Sequence, residues 1–154
     1  MKVELINPFV TAAFSVLEVV LGCRPKKGDL AMQKTVFTSQ QCNVVFGVAG
    51  QVQGQIIFGM SLITADKVAS AMLGQPIKTF DQLAASAIGE LGNMISGNAL
   101  QHLHGSGWVC DITPPTIIRG TNVKVNTISI PAVVIPLTVD QGEILITVGL
   151  QDRK

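Results

Sequence analysis

The sequence predicts a mixed α/β fold of the α+β type, with two long helices packed on a largely antiparallel sheet. Two observations predict it. Helical periodicity occurs near the N-terminus and again in the middle, and strand-like stretches broken by glycine and proline follow each helical segment. Residues 53–57 (QGQII) also match residues 141–145 (QGEIL), at a separation of 141 − 53 = 88 residues. We therefore expect a degenerate duplication whose halves are related by an approximate two-fold axis.

Length and composition exclude several classes of protein. A chain of 154 residues suits one domain over 1–154, and 47% hydrophobic with 14% charged residues excludes a disordered chain. The net charge of +1 lacks the basic excess typical of binding to nucleic acid or an anionic membrane. Three widely spaced cysteines predict neither disulfides nor a zinc site, as in a cytoplasmic protein.

The first element is an amphipathic helix ending near Leu21. Asn7 is the expected N-cap, and Pro8 would take the first helical position. Glu18 interrupts the apolar stretch, so the pattern favours a helix of a water-soluble protein over a signal peptide or a membrane span. Its apolar positions recur at helical spacing: Leu5, Ile6, Phe9, Val10, Ala13, Val16, Leu17, Val20 and Leu21.

Strands and two further helices follow in order. Residues 28–60 read as strands because β-branched and aromatic residues alternate between glycines. Thr64 is the expected N-cap of a short helix that ends at Leu73 and is closed by Gly74.

The long central helix is predicted from its first turn. Residues 79–82 (TFDQ) form a capping box in which Thr79 is the N-cap, and the helix should run to about His102. Residues 108–150 are strand-like again, because prolines and glycines divide them into short apolar runs.

This helix carries a polar stripe opposite its expected core face. At 100° per residue, Ser86, Glu90, Asn93 and Gly97 fall together, and Glu90 and Asn93 lie one turn apart, where both can contact one partner. A pair of ordinary solvated polar residues is the plain alternative. The face expected against the sheet comprises Phe80, Leu83, Ala84, Ala87, Leu91, Met94, Ile95 and His102.

Three glycines interrupt the same helix, at Gly89, Gly92 and Gly97. Each costs the helix about 1 kcal/mol relative to alanine. We therefore expect something large to come close to the helix backbone.

The stripe resembles the signature of the CheC/CheX/FliY chemotaxis phosphatases. Ser86-x-x-x-Glu90-x-x-Asn93, with Pro114-Pro115 about twenty residues later, matches their order of Asp or Ser, Glu, Asn and a downstream Pro. The Asn7-Pro8-Phe9 opening and the Gln-Gly strand entries resemble the CheX branch. The likeness spans nearly the whole chain.

The resemblance implies hydrolysis of the aspartyl phosphate on a CheY-like response-regulator receiver domain. It assigns Asn93 as the catalytic asparagine, which positions the attacking water, and Glu90 as the residue that pairs with a receiver lysine. Ser86, Gly89 and Gly97 would support contact with the partner. Mg²⁺ is expected on the receiver, and no metal on this chain.

The resemblance also bears on the number of active centres and on oligomeric state. Helix 1 lacks an asparagine three residues after Glu18, so one centre per chain, as in CheX, fits better than two, as in CheC. A homodimer is expected, formed through sheet edges or exchanged strands, with residues 121–134 as the candidate segment.

Two alternatives remain open. A non-catalytic receiver-binding or scaffold module would show the same fold and helix surface. A metal site at His102, His104, Cys110 and Asp111 is disfavoured, because i,i+2 spacing on a helix points the two imidazoles apart.

Overall fold

The computed structural model describes residues 2–33, 36–38, 40–120, 125–127 and 131–153, which form three helices and ten strands. The helices are α1 (Val3–Leu21), α2 (Leu62–Leu73) and α3 (Gln82–Gly105). The strands are β1 (Lys26–Lys27), β2 (Ala31–Gln33), β3 (Val36–Thr38), β4 (Cys42–Gly50), β5 (Val52–Met60), β6 (Cys110–Ile112), β7 (Thr116–Arg119), β8 (Val125–Thr127), β9 (Ala132–Val139) and β10 (Gly142–Asp152).

The main sheet has eight strands, and every pairing in it is antiparallel. Its order is β1-β9-β10-β5-β4-β6, with β2 also on β9 and β7 also on β4. Strands β3 and β8 form a separate antiparallel pair. The predicted α+β class with an antiparallel sheet is confirmed.

The order of elements confirms the duplication. Each half runs helix, two short strands, a strand of the β3–β8 pair and a hairpin, and the two hairpins meet at β5 and β10. Within that ladder Phe58 pairs with Ile146, and 146 − 58 = 88, the separation of the repeated segment. The two-fold axis therefore passes through this pair. Helix α2 follows the first hairpin and connects it to α3.

The helices cover one face of the sheet through a single large hydrophobic cluster. Helix α3 is central: it contacts α1, α2 and the strands β4, β6 and β7. Among the cluster's largest buried side chains are Phe9 of α1, Phe46 of β4 and Ile95 of α3. This packing fixes which face of α3 reaches solvent.

Helix α1 begins earlier than expected. Its N-cap is Lys2 and Pro8 lies inside the helix, so the predicted Asn7 cap is wrong. An internal proline costs about 3 kcal/mol. Burial of Leu5 and Ile6 in the core offsets this, because each buried aliphatic side chain contributes about 1.5–3 kcal/mol. Among the described residues, α1 is the one helix whose length and composition would suit a membrane span, but seven of its residues are buried in the core.

Both other helix starts are shifted from their predicted caps. Ser61 caps α2, because its side chain accepts a hydrogen bond from Thr64 N–H, so the predicted Thr64 cap lies within the first turn. Asp81 caps α3 and accepts from Ala84 N–H at 2.8 Å, and the predicted capping box at Thr79 is wrong. A carboxylate is the stronger acceptor at a helix N-terminus. Gly74 closes α2 in the left-handed conformation, as predicted.

The buried face of α3 is rotated relative to the predicted one. Leu83, Met94 and His102 are exposed, so their expected contact with the sheet is wrong. The buried arc centres instead on Ile88, Ile95 and Ala99, because α3 packs against α1 and α2 as well as against the sheet.

Half of the segment proposed for the dimer contact, residues 121–134, lies outside the described residues. Within it the structure describes β8, paired with β3, and the start of β9, paired with β2 and β10.

Candidate functional site

The polar stripe of α3 opens into a shallow groove. Ser86, Glu90 and Asn93 are exposed on adjacent turns. The groove, of about 340 Å³, is called the α3 groove below. Its lining comprises Gln82, Ala85, Ser86, Gly89, Glu90, Asn93, Pro115 and Ile117.

The structure thus brings together most of the residues that the sequence singled out. Ser86, Gly89, Glu90 and Asn93 share the groove with Pro115, the second residue of the predicted proline pair. Gly97 lies one turn beyond Asn93 and does not line it.

The far wall of the groove is built by β7 and the turn before it. Strand β7 pairs with β4 from Thr116 opposite Val45, which brings the preceding Pro115 over α3. The turn is fixed by two hydrogen bonds: Thr113 N–H donates to Gly47 O, and Gly47 N–H donates to Thr113 Oγ1, both at 2.9 Å. A proline with fixed φ then gives a rigid wall.

Two of the three helix glycines are explained by the chain's own packing. A Cβ at Gly92 would lie 2.9 Å from Phe46 Cε2, so the large neighbour expected at this glycine is the chain's own sheet. Gly89 is also buried, and a Cβ there would lie 3.3 Å from Ile117 Cδ1. Its missing side chain therefore lets the wall of the groove pack closely against the helix. At Gly97 nothing lies within 4 Å, and that surface is open.

The electrostatics of the α3 groove are simple. Glu90 is the one charged residue in the lining. Within the described part of the chain, neither the Glu90 carboxylate nor the Asn93 amide has a side-chain hydrogen bond or ion pair. Both groups are therefore available to a partner.

A second depression continues the groove toward the start of α3. It shares Gln82, Ala85 and Ile117 with the α3 groove and adds Arg119. Arg119 donates to Phe80 O and its guanidinium lies 5.4 Å from the Phe80 ring centroid. Gln82 was not predicted as a site residue from the sequence, although it lies four residues before Ser86 on the stripe.

Helix α1 carries a similar pair that was not predicted from the sequence. Glu4 and Asn7 lie 86 residues before Glu90 and Asn93, and both are exposed. The buried residues Leu5 and Leu91 correspond at the same offset. The matching signal was the four-residue pattern Glu-Leu-x-Asn, present at 4–7 and 90–93.

The surroundings of the α1 pair differ from those of the α3 pair. Its groove, of about 430 Å³, is walled by the end of α3 at His102 and Ser106 and by Trp108, with no counterpart of Pro115. Lys2 lies 5.3 Å from the Trp108 ring centroid and forms a 2.7 Å ion pair with Asp152.

Two of the three cysteines, Cys42 and Cys110, are buried in the core. Burial raises the pKa of the Cys42 thiol to about 11, and it raises that of Cys110 as well, so neither is a thiolate nucleophile at neutral pH. His104 Nε2 lies 2.9 Å from Cys110 O. Among the described residues, no group of three or more His, Cys, Asp or Glu side chains is placed to hold a metal ion.

Comparison with known sequences identifies related proteins. Residues 42–138 match the family model described as chemotaxis phosphatase CheX. The chain is 34% identical over 131 residues to the CheY-P phosphatase CheX of Thermotoga maritima, a match that covers 84% of each protein.

Solved structures agree. The CheX in the CheX–CheY–BeF₃–Mg²⁺ complex from Borrelia burgdorferi matches with a TM-score of 0.86 and 32% identity, covering 98% of this chain and 100% of that one. A CheC-like superfamily protein from a Shewanella species matches with a TM-score of 0.89, covering 98% and 99% of the two chains. At 23% identity, this second match speaks for the fold alone.

Proposed function

The chain belongs to the CheX chemotaxis phosphatase family, and from that premise we propose that it hydrolyses the aspartyl phosphate of a CheY-like receiver domain. One observation carries the proposal: Glu90 and Asn93 lie exposed, one turn apart, in a groove walled by Pro115, and neither side chain is bonded to another described residue. The relative from Thermotoga maritima, 34% identical, is a CheY-P phosphatase.

Asn93 is the proposed catalytic residue. Attack of water on a phosphoryl group passes through a loose transition state, so the enzyme mainly positions the water and needs no nucleophile of its own. The Asn93 side-chain carbonyl can accept a hydrogen bond from that water and hold it in line. A neutral amide also adds no negative charge beside the phosphoryl oxygens, as a carboxylate would.

Glu90 is the proposed docking residue. A carboxylate against a phosphoryl group would be repelled, whereas an ion pair with a receiver lysine is attractive. Because Glu90 lies one turn from Asn93, its ion pair with that lysine would align Asn93 with the phosphoryl group.

Supporting roles follow from position. Ser86 contributes a hydroxyl one turn before Glu90, and Gly97 leaves open backbone beyond Asn93. Gly89 acts indirectly by admitting Ile117 and Pro115 to the groove. Mg²⁺ would belong to the receiver; the complex of the Borrelia relative contains Mg²⁺ and BeF₃ together with CheY.

The protein is expected to be a cytoplasmic homodimer. Its expected partner is a receiver domain, and neither nucleic acid nor a membrane. A non-catalytic receiver-binding module is the second candidate, favoured by the same exposed stripe.

Turnover distinguishes the two candidates. A substoichiometric amount of the chain is mixed with phosphorylated CheY and Mg²⁺, and inorganic phosphate is followed over time. An enzyme releases phosphate from many receivers per chain. Binding of CheY without faster release would identify the scaffold.

A further inference from the structure

Two large apolar side chains are exposed on the solvent face of α3. Leu83 is 48% exposed and Met94 37%. At 100° per residue, Leu83 lies about 20° and Met94 about 40° around the helix from Glu90, on the side away from Asn93. They therefore form a row with Glu90 along the helix.

A second apolar edge lies on the other side of the polar pair. Pro115 and Ile117 wall the α3 groove beyond Asn93. Glu90 and Asn93 are thus flanked by apolar side chains on both sides.

The polar pair alone is a weak basis for binding a protein. An exposed ion pair contributes little because water and salt screen it. Glu90 is the one charge in the groove, so electrostatic attraction cannot come from the rest of the lining. Apolar side chains around a polar centre exclude water from it, and the apolar area that they bury on binding adds hydrophobic free energy.

We propose that Leu83 and Met94 are the apolar anchors by which α3 holds the receiver domain, a proposal that rests on the proposed function. They are docking residues, since neither is placed to touch the reacting atoms. The spacing of Leu83, Glu90 and Met94 along the helix determines where the receiver must carry complementary groups. Eleven residues of helix separate the anchors by about 16 Å, with Glu90 about 10 Å from Leu83 and about 6 Å from Met94.

The anchors therefore favour receivers that expose two apolar patches about 16 Å apart, with the active-site lysine between them and nearer to the Met94 contact. This spacing is a criterion for which of several receivers in a cell is the substrate. A receiver with a charged group at either contact would be disfavoured, because burying an unpaired charge is costly.

The test is the double variant Leu83→Gln/Met94→Gln. Glutamine keeps helix propensity and removes the apolar contact. Val19→Gln is the matched control, because Val19 is an 83% exposed apolar residue on α1. Phosphate release is measured against phosphorylated CheY concentration, and the Kd for CheY activated with beryllofluoride is measured by calorimetry.

We expect KM and Kd to rise by at least about tenfold in the double variant, because each truncated anchor weakens binding. The kcat should stay within about twofold of the wild-type value, because the lost contacts bind the ground state and the transition state equally. The control should match wild type. A KM and a Kd within twofold of wild type in the double variant would overturn the inference.

Failure of the proposed function gives a different result. If wild type binds activated CheY without accelerating phosphate release, the phosphatase proposal is wrong, and the Kd comparison still decides whether the anchors hold the receiver.

Discussion

At the scale of single residues, Asn93 and Glu90 are expected to affect different kinetic constants. In the proposed mechanism Asn93 acts on water in the transition state, so its loss should lower kcat. Glu90 is proposed to contact the receiver in both ground and transition states, so its loss should mainly raise KM. Kinetics should therefore distinguish the roles of these two residues, although they lie one turn apart on the same helix.

Reversing the charge at Glu90 tests the docking role. In Glu90→Gln the KM for phosphorylated CheY should rise about fivefold, which corresponds to the loss of about 1 kcal/mol from one exposed ion pair. In Glu90→Lys it should rise more than about tenfold, because two like charges then face each other. Both are read from phosphate-release kinetics.

Salt provides the control for this prediction. Raising the ionic strength should weaken wild-type docking more than that of Glu90→Gln, since salt screens the ion pair that the variant lacks. Unchanged kinetics in Glu90→Lys would show that no receiver cation meets this position.

At the scale of elements, the glycines of α3 divide by what surrounds them. Gly92→Ala should destabilise the protein by about 1–3 kcal/mol, because the new methyl would press on Phe46 and Phe58. Gly97→Ala should stabilise it by up to about 1 kcal/mol, because nothing opposes the methyl and alanine favours the helix. Urea denaturation measures both.

Gly97→Ala should also reduce phosphatase activity if the receiver approaches the helix there. A variant that is more stable yet less active would separate a partner contact from a folding effect. Wild-type activity in Gly97→Ala would remove Gly97 from the docking surface.

The helices show what the sequence could and could not predict. The amphipathic pattern of α1 and the Gly74 stop of α2 were local, and both are confirmed. The first residues of the helices could not be predicted from local sequence, because several nearby residues can act as the N-cap and burial decides among them. In α1, burial of Leu5 and Ile6 moves the helix start to a point before Pro8.

The same limit applies at the candidate site. Helical spacing alone placed Glu90 and Asn93 on one exposed face. It could not place Pro115 over them, because that depends on the pairing of β7 with β4, far apart in sequence. It also assigned Leu83 and Met94 to the wrong face, since the pattern of one helix does not reveal how many neighbours it has.

At the scale of the whole molecule, the two-fold axis produces two helices with the same Glu-Leu-x-Asn sequence. Among the described residues, a strand and its preceding turn wall the pair on α3, while the pair on α1 faces the end of α3 and Trp108. We therefore predict that one centre per chain is active.

Oligomeric state is a further prediction at this scale. A homodimer should give a light-scattering mass of twice the 16.3 kDa chain at micromolar concentration. A mass of one chain under those conditions would exclude strand exchange as part of the resting protein.

The central claim is that the Asn93 amide orients the hydrolytic water. The most direct test is kcat for phosphate release from saturating phosphorylated CheY in Asn93→Ala, with Asn7→Ala, its two-fold counterpart, as the matched control. We predict that Asn93→Ala lowers kcat by about a hundredfold or more while the Kd for beryllofluoride-activated CheY is unchanged, because only a transition-state interaction is lost. Asn7→Ala should retain wild-type kcat. A wild-type kcat in Asn93→Ala would contradict the account.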